Sequence, residues 1–171
     1  AAESVTHIPR RSRGGRLWWT AAALVVTAVL GFAYACGVVS QPTAPSPGRP
    51  DWRRWKADEL SIAYVGHASV LVDFGGIRIL TDPVLFDRIG MTIGPLTVGP
   101  KRIVASALRL DELPPLDAIV VSHAHLDSLD LPSLGRLTAT PLLVLPERTK
   151  DIVAGLAFPR IVELGWGSHV D

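Results

Sequence analysis

An apolar run that stops at two histidines sets the terms for this chain. Ile119, Val120 and Val121 are followed by Ser122, His123, Ala124, His125, Leu126, Asp127, Ser128, Leu129 and Asp130. Consecutive β-branched residues predict a strand, and the polar cluster predicts a loop at its C-terminal end. Side chains two residues apart in such a loop can converge. His123 and His125 can therefore reach one metal ion, and Asp127 the same ion or a second one a few ångströms away. The competing reading is a polar loop that caps a helix. Asp130 does read as an N-cap, with Pro132 in the first turn and Leu134 and Leu137 three apart. Capping, however, requires neither the two histidines nor Asp127.

The rest of the composition narrows the class. A chain of 171 residues suits one ordinary domain. A formal net charge of +1 lacks the footprint of a nucleic-acid binder, and a single cysteine, Cys36, excludes an intrachain disulfide. Hydrophobic residues make up 48% of the chain, which is high for a soluble domain, and the uncharged stretch 17–39 accounts for the excess. As a helix this stretch would extend about 34 Å, enough for a bilayer core of about 30 Å. Trp18 and Trp19 stand at its entry, and Arg10, Arg11, Arg13 and Arg16 precede it, which predicts a cytoplasmic N-terminus. A signal anchor is the leading reading. A cleaved signal peptide and a lipoprotein signal acylated at Cys36 are the alternatives. Arg10 and Arg11 also invite a twin-arginine reading, without the apolar residues that usually follow.

Beyond this stretch, Pro42, Pro45, Pro47 and Pro50 predict an extended linker. Trp52, Arg53, Arg54, Trp55 and Lys56 suit either lipid headgroups or the packed start of a domain. Short strands are expected over 61–65, 69–74 and 77–80, the last two joined by the turn Gly75, Gly76. A long Gly- and Pro-rich loop is expected over 84–100. Residues 118–121 read as a strand buried on both faces. Further strands follow over 141–145 and 160–164, with a short helix over 147–154 between them. This alternation indicates an α/β layered domain.

Three motifs taken in order carry a family resemblance. Gly66, His67, Ala68, Ser69 come first, then Leu80, Thr81, Asp82, Pro83, then Val121 through Asp130. Together they resemble the metallo-β-lactamase fold superfamily, and within it the branch of N-acyl-phosphatidylethanolamine phospholipase D. The resemblance implies an αβ/βα sandwich of two central sheets with helices outside, here C-terminally truncated, and the uncharged stretch 17–39 would precede it as one transmembrane helix. On this reading the chain divides into a basic cytoplasmic tail (1–16), a transmembrane signal anchor (17–39), a Pro-rich linker (40–56) and the N-terminal part of an extracytoplasmic hydrolase domain (57–171). The resemblance makes His123 and His125 ligands of a first zinc ion and Asp127 a ligand of a second. It places Asp82 behind the histidine loop. His67 lies in a family motif and is expected to line the site or to be a hydrogen-bonded core histidine; His7 and His169 match nothing and are expected at the surface.

The resemblance further implies a zinc-dependent hydrolase with one or two ions. Metal-activated hydroxide would attack, with Asp127 orienting it or taking its proton. The expected substrate is a phospholipid-like phosphodiester, and membrane lipid is an expected partner. The alternatives are a non-catalytic or truncated domain, and a hydrolase of lactones or β-lactams on the same fold. Two departures bear on this. Ser128 stands where the branch usually has a histidine for the second metal. The later ligands of the family have no counterpart in these 171 residues, so weak metal binding is expected of this chain.

Overall fold

The computed structural model describes residues 13–35, 42–94 and 96–170. Its centre is a six-stranded mixed sheet of β1 (Leu60–Gly66), β2 (Ser69–Phe74), β3 (Ile77–Thr81), β6 (Ala118–Val120), β7 (Leu142–Pro146) and β8 (Arg160–Leu164), in that spatial order. The first three strands form an antiparallel meander, and β3, β6, β7 and β8 run parallel. Phe74 pairs with Ile77, so Gly75 and Gly76 make a two-residue turn. Their φ values of 65° and 83° are those of a type I′ turn, which side chains other than Asn, Asp or Gly resist.

Register assigns each side chain to a face. Ala63, Leu71, Leu80, Ile119, Leu143 and Ile161 form one cross-sheet rung. This face is packed: Leu71, Leu80, Ile119 and Leu143 have no exposed surface, each such burial contributing about 1.5–3 kcal/mol. Leu129, Leu134, Leu137, Val153 and Phe158 cover it from the connections. The neighbouring rung of Ile62, Val72, Ile79, Ala118, Leu142 and Arg160 lies on the opposite face. That face is open, with Leu60, Ile62, Tyr64, Phe74 and Ile77 exposed. The strand expected to be buried on both sides, β6, is therefore buried on one only: Ile119 is enclosed, whereas Ala118 and Val120 are half-buried. The described residues show one large sheet rather than two.

The crossover from β6 to β7 carries α2 (Leu131–Leu134), capped by Asp130, whose side chain accepts the Ser133 N–H. Between β7 and β8 the expected helix is a shorter 3-10 turn, Lys150–Val153. The 84–100 stretch, expected to be a loop, contains a small hairpin of β4 (Met91–Ile93) and β5 (Leu96–Val98). The residues over 108–116 contain only a 3-10 turn, Leu110–Glu112.

The Pro-rich stretch is extended but tied to the domain. Ala44 N–H donates to Ile103 O (2.8 Å), Ala105 N–H donates to Ala44 O (2.9 Å), and Arg49 pairs with Glu112. Trp52 and Trp55 pack against the core, and Trp52 Nε1 donates to Glu112 O at 2.8 Å. These tryptophans thus belong to the packed start of the domain. Ahead of them, α1 (Arg13–Ala35) exposes Trp18, Trp19, Leu24, Leu30 and Phe32. Among the described residues no helix is long and apolar enough to cross a membrane. The last residues of the expected span, 36–39, lie outside the described residues, as does His7.

Candidate metal centre

Because β1 runs with β3, and β3 with β6, β7 and β8, five strands end at one edge of the sheet. Ligand sites of open α/β sheets lie beyond the carboxyl ends of the strands. His67 follows β1 there, Asp82 follows β3, the His123–Asp127 loop follows β6, Arg148 follows β7 and Trp166 follows β8.

His123, His125 and Asp127 converge. Their ligand atoms lie within 4.8 Å of one another, close enough that the three could hold one metal ion. The two imidazoles meet edge-on, 4.7 Å between centroids. His123 Nδ1 is 2.9 Å from Ser122 Oγ, which leaves Nε2 as its ligand atom. Two imidazole nitrogens and a carboxylate oxygen form a donor set that suits zinc or a similar first-row ion, with positions left open for further ligands. His67 is no core histidine. It is partly exposed, and its Nε2 lies 3.6 Å from Asp127 Oδ2. Ser128, by contrast, is 2% exposed. His169 is exposed, as expected.

The histidine loop is held from behind. Asp82 is 8% exposed, and its Oδ1 accepts the Ser122 N–H at 2.7 Å. Asp82 N–H donates to Val120 O (2.9 Å), so this residue grips the end of β6 from both its backbone and its side chain. Within the loop, Ser128 N–H and Leu129 N–H both donate to His125 O, at 3.0 and 2.7 Å. The Asp82 carboxylate bonds the backbone of the loop and none of its side chains. Ser69, which sequence reasoning assigned no role, is fully buried and braces Asp82 in turn: its hydroxyl donates to Asp82 O at 2.8 Å and accepts the Val84 N–H at 2.9 Å. Its position in the Gly66–Ser69 motif was the available signal.

Two further features set the edge. Gly66 has φ 123°, and a Cβ there would collide with the Arg102 guanidinium. Arg102 is buried and donates to Val84 O and, at 3.1 Å, to Val104 O; burial lowers its pKa, against the pull of Tyr64, Asp87 and Asp130. Asp130 is 1% exposed. Its Oδ2 accepts the Ser133 N–H and hydroxyl at 3.0 and 2.6 Å, whereas Oδ1 is buried without a hydrogen-bond partner. Burial raises the Asp130 pKa, and the Ser133 donors and Arg102 oppose the rise. Beside His123 lies a cavity of about 600 Å³, lined by Val120, His123, Val144, Arg148, Leu164 and Trp166 among others.

The profile of the Beta-lactamase superfamily domain matches residues 77–170. More than half of the chain lies within that match, and the chain belongs to this family. An uncharacterised protein of Mycobacterium tuberculosis is 36% identical over 132 residues, which are 74% of this chain and 35% of the relative. The N-acyl-phosphatidylethanolamine-hydrolyzing phospholipase D 1 of Caenorhabditis elegans is 44% identical over 79 residues, 46% of this chain and 21% of the relative. Among solved structures, a diiron beta-hydroxylase from Streptomyces venezuelae superposes with a TM-score of 0.49 at 23% identity, over 66% of this chain and 22% of that one. The chain thus spans about a third or less of the length of these relatives. The family is one of metallo-β-lactamase-fold hydrolases, and His123, His125 and Asp127 form a possible metal site within it.

Proposed function

We propose that this chain is part of a membrane-anchored, zinc-dependent phosphodiesterase acting on phospholipid-like substrates. The observation that carries the proposal is the convergence of His123, His125 and Asp127 at the sheet edge, on a loop clamped by Asp82. Zinc held there would supply Lewis acidity and lower the pKa of a bound water to about 7. His123 and His125 would hold the ion through ring nitrogens. Asp127 would be a further ligand, and its carboxylate would orient the attacking water or accept a proton from it. His67, 3.6 Å from Asp127 Oδ2, orients that carboxylate and lines the site. Asp82 acts through the loop backbone and touches no substrate. Ser128 lies beneath the loop and supplies no imidazole to a second ion.

The phospholipid class is supported by the named activity of the Caenorhabditis elegans relative, which is 44% identical to this chain over 79 residues. Anchoring is supported by the uncharged stretch 17–39 behind four arginines, with the N-terminus cytoplasmic and the domain outside. The test has two parts. Zinc retained after dialysis is measured on the wild type and on His123→Ala and Asp127→Ala. Hydrolysis of N-acyl-phosphatidylethanolamine in vesicles is compared with that of a lactone. Zinc binding that the variants weaken, with turnover of the phosphodiester alone, is the expected result. Lactone turnover alone would replace this substrate class with another, and no metal-dependent turnover by the longest natural form of the protein would favour a non-catalytic domain.

A further inference from the structure

Three described residues other than glycine have a left-handed backbone: His67 (φ 57°), Asp82 (φ 39°) and Arg148 (φ 65°). Each lies just past a strand that ends at the metal-bearing edge. His67 stands against Asp127, and Asp82 clamps the histidine loop. Left-handed strain in such residues gathers at functional sites, where the surroundings enforce it. Aspartate and histidine adopt this conformation several-fold more readily than most residues; arginine has no such preference. We infer that Arg148 is a substrate-binding residue, whose guanidinium holds the anionic oxygens of a phosphodiester beside the metal ligands. The inference rests on the phosphodiesterase reading and adds the group that recognises the substrate.

The surroundings of Arg148 enforce its geometry from both sides. Glu147 N–H donates to Leu164 O at 3.0 Å, and Thr149 Oγ1 donates to Pro146 O at 2.6 Å. Glu163 Oε1 accepts both the Thr149 and Lys150 N–H groups at 2.7 Å. The side chain itself is left available. It is 89% exposed, and its nearest ion-pair contact is a loose one, Nε to Glu147 Oε1 at 3.7 Å. A pair so long and so exposed holds the guanidinium weakly. Arg148 lines the same cavity of about 600 Å³ as His123, whose other walls include the Glu147 carboxylate, Val120, Val144, Leu164 and the fully exposed Trp166. A planar fork of donors beside apolar walls matches an anionic head carried on an apolar tail.

The test begins with the metal-free chain, titrated with diethyl phosphate and followed at the arginine Nε resonances. Arg148 should respond at concentrations that leave exposed Arg53 and Arg136 unmoved, and neutral triethyl phosphate should move none of them. With zinc, Arg148→Ala should raise KM for a phosphodiester about tenfold or more, the loss expected for a charge-assisted pair. Its KM for a neutral ester should rise less than its KM for the phosphodiester. Arg148→Lys should recover part of the affinity. Arg148→Gly should match the alanine variant in KM while keeping the wild-type thermal midpoint, because glycine accepts the backbone strain. Unaltered KM in Arg148→Ala, against a phosphodiester that the wild type hydrolyses, would overturn the inference. Turnover of neutral esters only, with the Arg148 resonance still responding to diethyl phosphate, would remove the phosphodiesterase reading and leave an anion site in place.

Discussion

Replacing Asp82 tests how the metal loop is held, and the structure sets the size of the effect. Two terms contribute. The first is the bond from Ser122 N–H to Asp82 Oδ1 at 2.7 Å, a charge-assisted bond worth about 1.5–3 kcal/mol. Ser122 is exposed, so water takes over part of this role and the low end, about 1.5 kcal/mol, applies. The second is the backbone: φ is 39°, which an alanine adopts at a cost of about 1–2 kcal/mol and a glycine at none. Asp82→Ala should therefore lose about 3 kcal/mol. Asp82→Gly escapes the steric term but adds chain entropy to the unfolded state, and should lose about 2 kcal/mol. Asp82→Asn keeps the acceptor and tolerates the backbone, and should lose about 1 kcal/mol. Urea denaturation at neutral pH gives the three values, and chelator competition gives zinc affinity, expected to fall about 10–100-fold in the alanine variant. Equal stability of the glycine and alanine variants would refute the backbone term. Unchanged zinc affinity in Asp82→Ala would refute the idea that this residue positions the histidines.

Other perturbations follow from the same geometry. Ser128→His adds an imidazole where the side chain is 2% exposed, and overpacking should cost about 1–3 kcal/mol; an undiminished melting temperature without zinc would refute this. Asp130 has a raised pKa because it is buried, so its contribution is fully present below the ordinary aspartate value and is lost as pH rises through the raised one. Urea titrations across that window should show the wild type losing stability with pH relative to Asp130→Asn, and parallel curves would contradict it. Trp52→Phe removes the 2.8 Å bond to Glu112 O while keeping an aromatic ring, and should cost about 1 kcal/mol by thermal denaturation.

What could be read in advance follows from the range of the interactions involved. The Gly75, Gly76 turn, the Asp130 cap and the Arg160–Leu164 strand are local, and their residues announce them. The convergence of His123, His125 and Asp127 is nearly local, set by one loop after one strand. Failures occur where a distant partner decides. Nothing in Pro42 to Pro50 reveals that Ala44 bridges to Val104, because that contact joins segments 60 residues apart. The apolar run of β6 reads alike whether one face or both are packed, and only register with β3 and β7 puts Ile119 inward and Val120 outward.

Arg148 is the sharpest case. As one residue in Pro146, Glu147, Arg148, Thr149, Lys150 it looks like a solvated surface cation. Its significance arises only when five strands end together and its backbone shares the left-handed conformation of His67 and Asp82. A glycine would fit that backbone with less strain. The arginine places an exposed guanidinium in the same cavity as His123, although composition makes it the least conspicuous residue of the edge. The histidine loop alone implies a metal and leaves the substrate open. The edge as a whole adds a guanidinium, an exposed indole and an apolar wall, a combination that the proposed anionic amphiphile would use and a neutral lactone would not.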